Sequence, residues 1–216
     1  MPYAVLFEQA LEHGYRQQPD FSATLERWRC ESPAQYGDRD LLAEYAWVVV
    51  GCGLTYAATN RIYGRLEPVL LGFDPALVAA QEPALRLAAA AVLRARRKLD
   101  AIFGLASDLA RRPGKMADLA QRPWREVQGW MLTLPLIGPN NCFHLARNLG
   151  WDVAVRTGPV ARIAARIGQE PQALCAAIAA DVGEKTRVVD LVLWQWLVGA
   201  TAEQLWDAAE LARLVG

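Results

Sequence analysis

Apolar residues fall at helical spacing along most of this chain, starting with Val5, Leu6, Ala10 and Leu11 on one stripe. The pattern predicts helices over 3–17 and 21–31, separated by Pro19-Asp20, with Ser22 as N-cap of the second. Ser32-Pro33 and Gly37 form a loop. From Asp38 the sequence Leu41 to Val50 is apolar nearly all round, which predicts a buried central helix capped by Asp38 or Asp40. Gly51 and Gly53 follow, then a helix from Ala57 to Leu71 with Arg61 and Arg65 outward. Further helices are predicted over Asp74–Gln81, from Glu82-Pro83 to Val92, and over Ala95–Arg112, the first two with proline at the first helical position. After a short turn, Pro123–Leu132 leads into a tight apolar turn, Leu134-Pro135-Leu136-Ile137-Gly138. Beyond it come a helix from Pro139 to Leu149, a loop from Gly150 to Gly158, and helices over 159–167, 171–183 and 186–198. Thr201 caps a last helix. About six helices thus lie between Asp38 and the turn. No repeat or low-complexity tract interrupts the series.

Composition agrees with an all-α chain: alanine and leucine are abundant, and the length suits one domain or two interlocked lobes. Twenty-three basic and twenty-three acidic residues cancel, so net charge gives no argument for a nucleic-acid partner. Their distribution is uneven. Between Arg94 and Arg125 nine basic residues face only Asp100, Asp108 and Asp118. That excess reads either as solvated helix faces or as a strip that follows phosphates. Cys30, Cys52, Cys142 and Cys175 lack CxxC spacing, which argues against a zinc or iron–sulfur site. No cofactor is expected. The longest apolar run, Ala46 to Ala58, is too short and too glycine-interrupted to span a bilayer, and no signal peptide is expected. A cytoplasmic protein without a membrane partner is the expectation.

The stretch from Leu132 to Gly168 carries the strongest signal. Its order of helix, Leu-Pro-Leu-Ile-Gly hairpin, helix, loop and helix resembles the core of the helix-hairpin-helix DNA glycosylases, the endonuclease III superfamily. Leu134, Pro135, Ile137 and Gly138 match the family hairpin Leu-Pro-Gly-Val/Ile-Gly, and Arg162 matches the arginine five residues after the family's loop aspartate. Leu41–Arg65, Arg96–Ile102 and Trp124–Leu134 are similar to other family segments. The resemblance implies a two-lobed fold with a cleft between lobes: residues 38–143 as a six-helix lobe, residues 1–37 and 144–216 as the second. It also implies DNA as partner and base excision as activity. In the family, backbone amides of the hairpin grip a phosphate at a helix N-terminus, so Leu136, Gly138 and Asn140 are the expected phosphate-binding positions. Leu136 stands where the family has glycine. If that position needs a positive φ, its side chain is a handicap.

The chemistry departs further. The family's lysine nucleophile falls on Asn140 and its aspartate on Thr157; asparagine supplies no nucleophile and threonine no negative charge. Two carboxylates are candidate replacements, Asp152 in the same loop and Glu44 on the apolar helix, although a glutamate so placed is usually paired or at the helix edge. Trp47, Asn141 and Trp151 are candidates to line a base pocket. Asn140 and Asn141 either cap the helix or read a base edge. The other tryptophans, Trp206 among them, are expected in the core, and His13 and His144 are structural or surface residues. No metal ligand set is found. Three functions follow: a DNA glycosylase-like protein that binds DNA or a damaged base and cleaves its N-glycosidic bond without strong lyase activity, a catalytically silent binder, or an N-glycosidase acting on a small nucleoside.

Overall fold

A computed structural model of the chain describes residues 2–199. The final helix expected at 201–216, with Thr201 and Trp206, lies outside the described residues. The described chain is all-helical, with no strand among its residues. In chain order the helices are α1 (Pro2–Gln17), α2 (Phe21–Cys30), α3 (Asp38–Gly51), α4 (Tyr56–Val69), α5 (Pro75–Ala80), α6 (Glu82–Val92) and α7 (Arg96–Arg111). They continue with α8 (Lys115–Ala120), α9 (Trp124–Met131), α10 (Asn141–Asn148), α11 (Pro159–Arg166), α12 (Pro171–Val182) and α13 (Thr186–Gly199). No described helix is long and apolar enough to cross a membrane. The chain divides into two compact units: Ser32–Gly150, and the described residues of Met1–Glu31 with Trp151–Gly216.

The Ser32–Gly150 unit is built around α3. Leu41, Leu42, Tyr45, Ala46, Val49 and Val50 on it are fully buried, because a helix apolar on all sides has to be covered on all sides. Helices α4, α7, α8 and α10 pack against it. Each large aliphatic side chain so buried contributes roughly 1.5–3 kcal/mol. The unit is wider than the expected 38–143. The short 3₁₀ turn Pro33–Gln35 packs on α8, and at the other end Gly150, at φ 90°, meets the backbone of Ser32. A Cβ at position 150 would sit 2.7 Å from the Ser32 carbonyl carbon, so the unit closes there only with glycine.

Of the expected caps, Asp40 serves α3, whereas Asp38 and Ser22 do not cap the helices expected of them. Asp38 does not cap its own helix; its carboxylate accepts from the amides of Gly114 at 2.6 Å, Lys115 at 3.3 Å and Met116 at 2.7 Å. It thereby starts α8, where only a turn was expected, and seven helices rather than six lie between Asp38 and the hairpin. Asp40 accepts from the Gly37 amide at 2.7 Å, which starts α3. Ser22 lies inside α2, which begins at Phe21 behind Asp20. Helix α4 ends early, at Val69, because Leu71, Gly72 and Phe73 all have positive φ. Arg39 Nε donates to the Gly72 carbonyl at 2.7 Å, and the buried Phe73 stacks on Tyr63 with ring centroids 5.2 Å apart.

In the other unit, α1, α2, α11, α12 and α13 enclose Leu6, Phe21, Leu25, Ile163, Leu174 and Val192. Arg187 is 1% exposed. Its guanidinium pairs with Glu31 Oε2 at 3.2 Å and lies 4.6 Å from the centre of the Trp28 ring. Lys185 Nζ donates to the Glu31 carbonyl at 3.1 Å, placing a cation beside the C-terminus of α2, where the helix dipole favours one. Arg29 pairs with Glu184 and with Glu26. Among the described tryptophans only Trp151 is fully buried; the others are half-buried, so the expectation of core tryptophans holds only in that weaker form.

Candidate functional site

The hairpin grows out of the end of α9. The Thr133 amide donates to the Trp130 carbonyl at 2.9 Å, and the Leu134 amide to that of Met131 at 3.1 Å. The chain then reverses over four residues, closed by the Ile137 amide donating to the Leu134 carbonyl at 3.2 Å. Pro135 and Leu136 are the central residues. Proline before a residue of positive φ is the pattern of a type II turn, and Leu136 has φ 64°. The position therefore does adopt the backbone that glycine favours. A leucine held there costs roughly 1–2 kcal/mol relative to an ordinary conformation.

The surroundings determine that turn. Tyr45, fully buried on α3, donates its hydroxyl to the Pro135 carbonyl at 2.7 Å. Ile137 is buried beneath. Asn141 Nδ2 lies 3.2 Å from Cys52 Sγ and 3.5 Å from the Leu136 carbonyl. Asn141 therefore joins the hairpin to the end of α3. Lys98 braces the same end, donating to the carbonyls of Val50 at 2.9 Å and Cys52 at 2.7 Å. Desolvation, followed by the neighbouring Cys52, raises the Tyr45 hydroxyl well above the usual phenol range, so it stays protonated and remains a donor.

Past the turn, the Gly138 carbonyl accepts from the Cys142 amide at 3.0 Å. The turn that leads into α10 thus opens at Pro139, and the amides of Asn140 and Asn141 belong to the N-terminal group that has no intrahelical acceptor. Asn140 is exposed, and its side chain makes no capping bond. A helix N-terminus behind a fixed turn is suited to an anion. Leu136, Gly138 and Asn140 thus form one continuous backbone feature.

The remaining candidates take other places. Glu44 is half-buried and accepts from Asn148 Nδ2 at 2.8 Å, tying α3 to α10. Trp47 donates its indole N–H to Asn60 Oδ1 at 3.0 Å and packs edge-on against His144, with centroids 5.5 Å apart. Burial, assisted by the charge of Arg147, pushes His144 down to about 3, so it is neutral at ordinary pH. In the other unit Asp152 accepts from the Arg187 amide at 2.9 Å, in the first turn of α13. It is a helix cap. Thr157 is exposed and offers no charge. Gly158 follows it at φ 86°, ψ −155°, a backbone conformation open essentially to glycine alone, and leads into α11. Trp151 is buried. The buried Asp190 accepts from the Val155 amide at 3.3 Å and so shapes the same loop. Sequence reasoning passed over Tyr45, Cys52, Lys98 and Asp190. Only Lys98 carried a signal, its place in a segment similar to the family's.

The basic strip is largely tied up within the fold. Lys98 braces α3, Arg96 pairs with Asp100 at 3.8 Å, Arg111 pairs with Asp108, and Arg122 pairs with Asp118 at 2.9 Å. Arg94, Arg97, Arg112 and Arg125 are exposed and make no ion pair among the described residues. The four cysteines form no disulfide, and no group of three metal-binding side chains occurs among the described residues. No protein-family model, no curated protein and no solved structure matches this chain.

Proposed function

We propose that the chain is a divergent helix-hairpin-helix protein, glycosylase-like in fold, that grips a nucleic-acid phosphate at the hairpin and has lost the bond-cleaving chemistry. The observation that carries this reading is the left-handed Leu136. A strained turn persists only where its surroundings hold it, and here Tyr45, Asn141 and Lys98 all act on the hairpin or on the α3 end beside it. What they hold is an anion-ready helix start. The chemistry finds no comparable support, because Asp152 serves as a cap and Thr157 is uncharged.

Fluorescence anisotropy with a labelled duplex tests the binding. We expect affinity to fall steeply between low and moderate salt. Asn140→Asp, which sets a carboxylate at the start of α10, should weaken it at least tenfold. Absence of duplex binding at low salt would overturn the proposal. Glu44 favours a second reading, N-glycosidic hydrolysis, since it is the one candidate carboxylate in the unit that carries the hairpin. Release of a base from a panel of damaged duplexes, abolished by Glu44→Gln, would select that reading over the silent one.

A further inference from the structure

On the α7 and α8 side of the hairpin lies a groove of about 390 Å³, within the span of about 300–1,000 Å³ that small-ligand sites occupy. Its floor is apolar, formed by Leu105, Leu109 and Leu134. Three cations, Arg111, Arg112 and Lys115, reach its rim against a single lining carboxylate, Asp108. Asp108 already pairs with Arg111. Arg112 makes no ion pair among the described residues. Lys115 Nζ is held 5.0 Å above the ring of Trp130, another lining residue, and 3.2 Å from Asp118. The segment bearing Arg112 and Lys115 is fixed, since Asp38 engages the amides of Gly114, Lys115 and Met116. Positive charge is thus preset beside a recess whose lining also includes leucines and Trp130.

We infer that this groove binds a nucleotide unit, with the phosphate between Arg112 and Lys115 and the base on the floor beside Trp130. A guanidinium fork matches phosphate oxygens in a way a point charge does not. The apolar floor and indole edge suit a flat base, and Asp108 accepts from an amino group or sugar hydroxyl. A fatty acid would leave Asp108 facing hydrocarbon. Inorganic phosphate would leave the floor empty. No residue of α10 lines the groove, and the inference does not depend on a phosphate grip at that helix start. Two sources supply the same chemistry, a free nucleoside monophosphate or one nucleotide of a DNA strand.

Isothermal titration of the full chain with a purine deoxynucleoside 5′-monophosphate, the matching nucleoside, inorganic phosphate and a short single-stranded oligonucleotide tests the inference. The monophosphate should bind at least tenfold more tightly than either the nucleoside or phosphate. Arg112→Ala and Lys115→Ala should each weaken it about tenfold, and Arg112→Glu should abolish binding. Arg112 is exposed, so an unchanged circular dichroism spectrum and melting temperature verify the fold of its variants. Asn140→Asp should leave monophosphate affinity within twofold. An oligonucleotide that binds more tightly than the monophosphate and responds to Arg112→Ala identifies a strand as the source; a monophosphate preferred over the oligonucleotide identifies the free nucleotide. Equal affinity for nucleoside and monophosphate, no binding of any probe, or loss with Asn140→Asp but not with Arg112→Glu overturns the inference. Duplex binding that responds to Asn140→Asp alone would sink the groove and leave the hairpin reading standing.

Discussion

Replacing Leu136 by alanine and by glycine separates the strain of the hairpin from the packing of its side chain. Both variants lose the same half-buried side chain, so burial cancels between them and only the backbone differs. At φ 64° an alanine retains the left-handed penalty of roughly 1–2 kcal/mol. Glycine escapes it but loses roughly 0.4–1 kcal/mol more conformational entropy on folding. The glycine variant should therefore be the more stable by about 1 kcal/mol. Leu87 provides the control: it is 80% exposed and lies inside α6. There alanine should be more stable than glycine by about 1 kcal/mol, because an ordinary helix interior disfavours glycine. The two sites thus have opposite signs. Urea titration followed by tryptophan fluorescence reads the difference as a midpoint shift of about 0.5 M for a slope of ~2 kcal/mol/M. An alanine variant at 136 as stable as the glycine variant would refute the left-handed turn and the phosphate grip argued from it.

Tyr45→Phe should lower stability by about 0.5–1.5 kcal/mol, since it removes the hydroxyl that donates to Pro135, and it should weaken duplex binding with it; denaturation and anisotropy report the two effects. Gly150→Ala should destabilise by ~2 kcal/mol or more, combining a φ of 90° with a Cβ 2.7 Å from the Ser32 backbone; a thermal melt checks it. His144 fixes a pH dependence: its folded value of about 3 lies below the ordinary 6.5. The unfolded chain binds the extra proton, so stability is complete above about pH 6.5 and falls by up to ~1.4 kcal/mol per pH unit below it. Titrations between pH 7 and 5 on the wild type and His144→Gln test this, and an equal slope in both would refute it.

The helices were legible because each shows an apolar stripe and most carry their own start or stop signals, as Asp74-Pro75 does for α5, where Asp74 accepts from the amides of Ala76 and Leu77. Helix α8 was not, because its start is set by Asp38, which is 76 residues from Gly114 in sequence. The same distance explains the misassigned cap. A carboxylate three residues before an apolar run looks local until a distant row of amides takes it. The left-handed turn at Leu71–Phe73 was equally hidden: two of its three residues are not glycine, and burial of Phe73 with the Arg39 bond holds them there. At the hairpin, by contrast, the motif itself marked position 136 as the one that would have to turn left-handed. The fate of Asp152 was out of reach, because its partner, the Arg187 amide, lies 35 residues on.

The hairpin and the carboxylates support the same reading from opposite directions. Gripping a phosphate needs only a fixed turn and the free amides of a helix start, and both survive with leucine in place of glycine as long as neighbours hold the turn. Stabilising an oxocarbenium-like sugar needs a carboxylate that is ionised, correctly placed and not committed elsewhere. In this chain Asp38 and Asp152 accept from helix-start amides, the buried Asp190 accepts from the Val155 amide, and Glu44 accepts from Asn148. Freeing either of the two caps for chemistry would forfeit about 0.5–2 kcal/mol of helix stability. Strain is kept where an anion would bind, whereas these carboxylates are committed to structure. That distribution supports recognition of a nucleic-acid backbone over cleavage of a glycosidic bond.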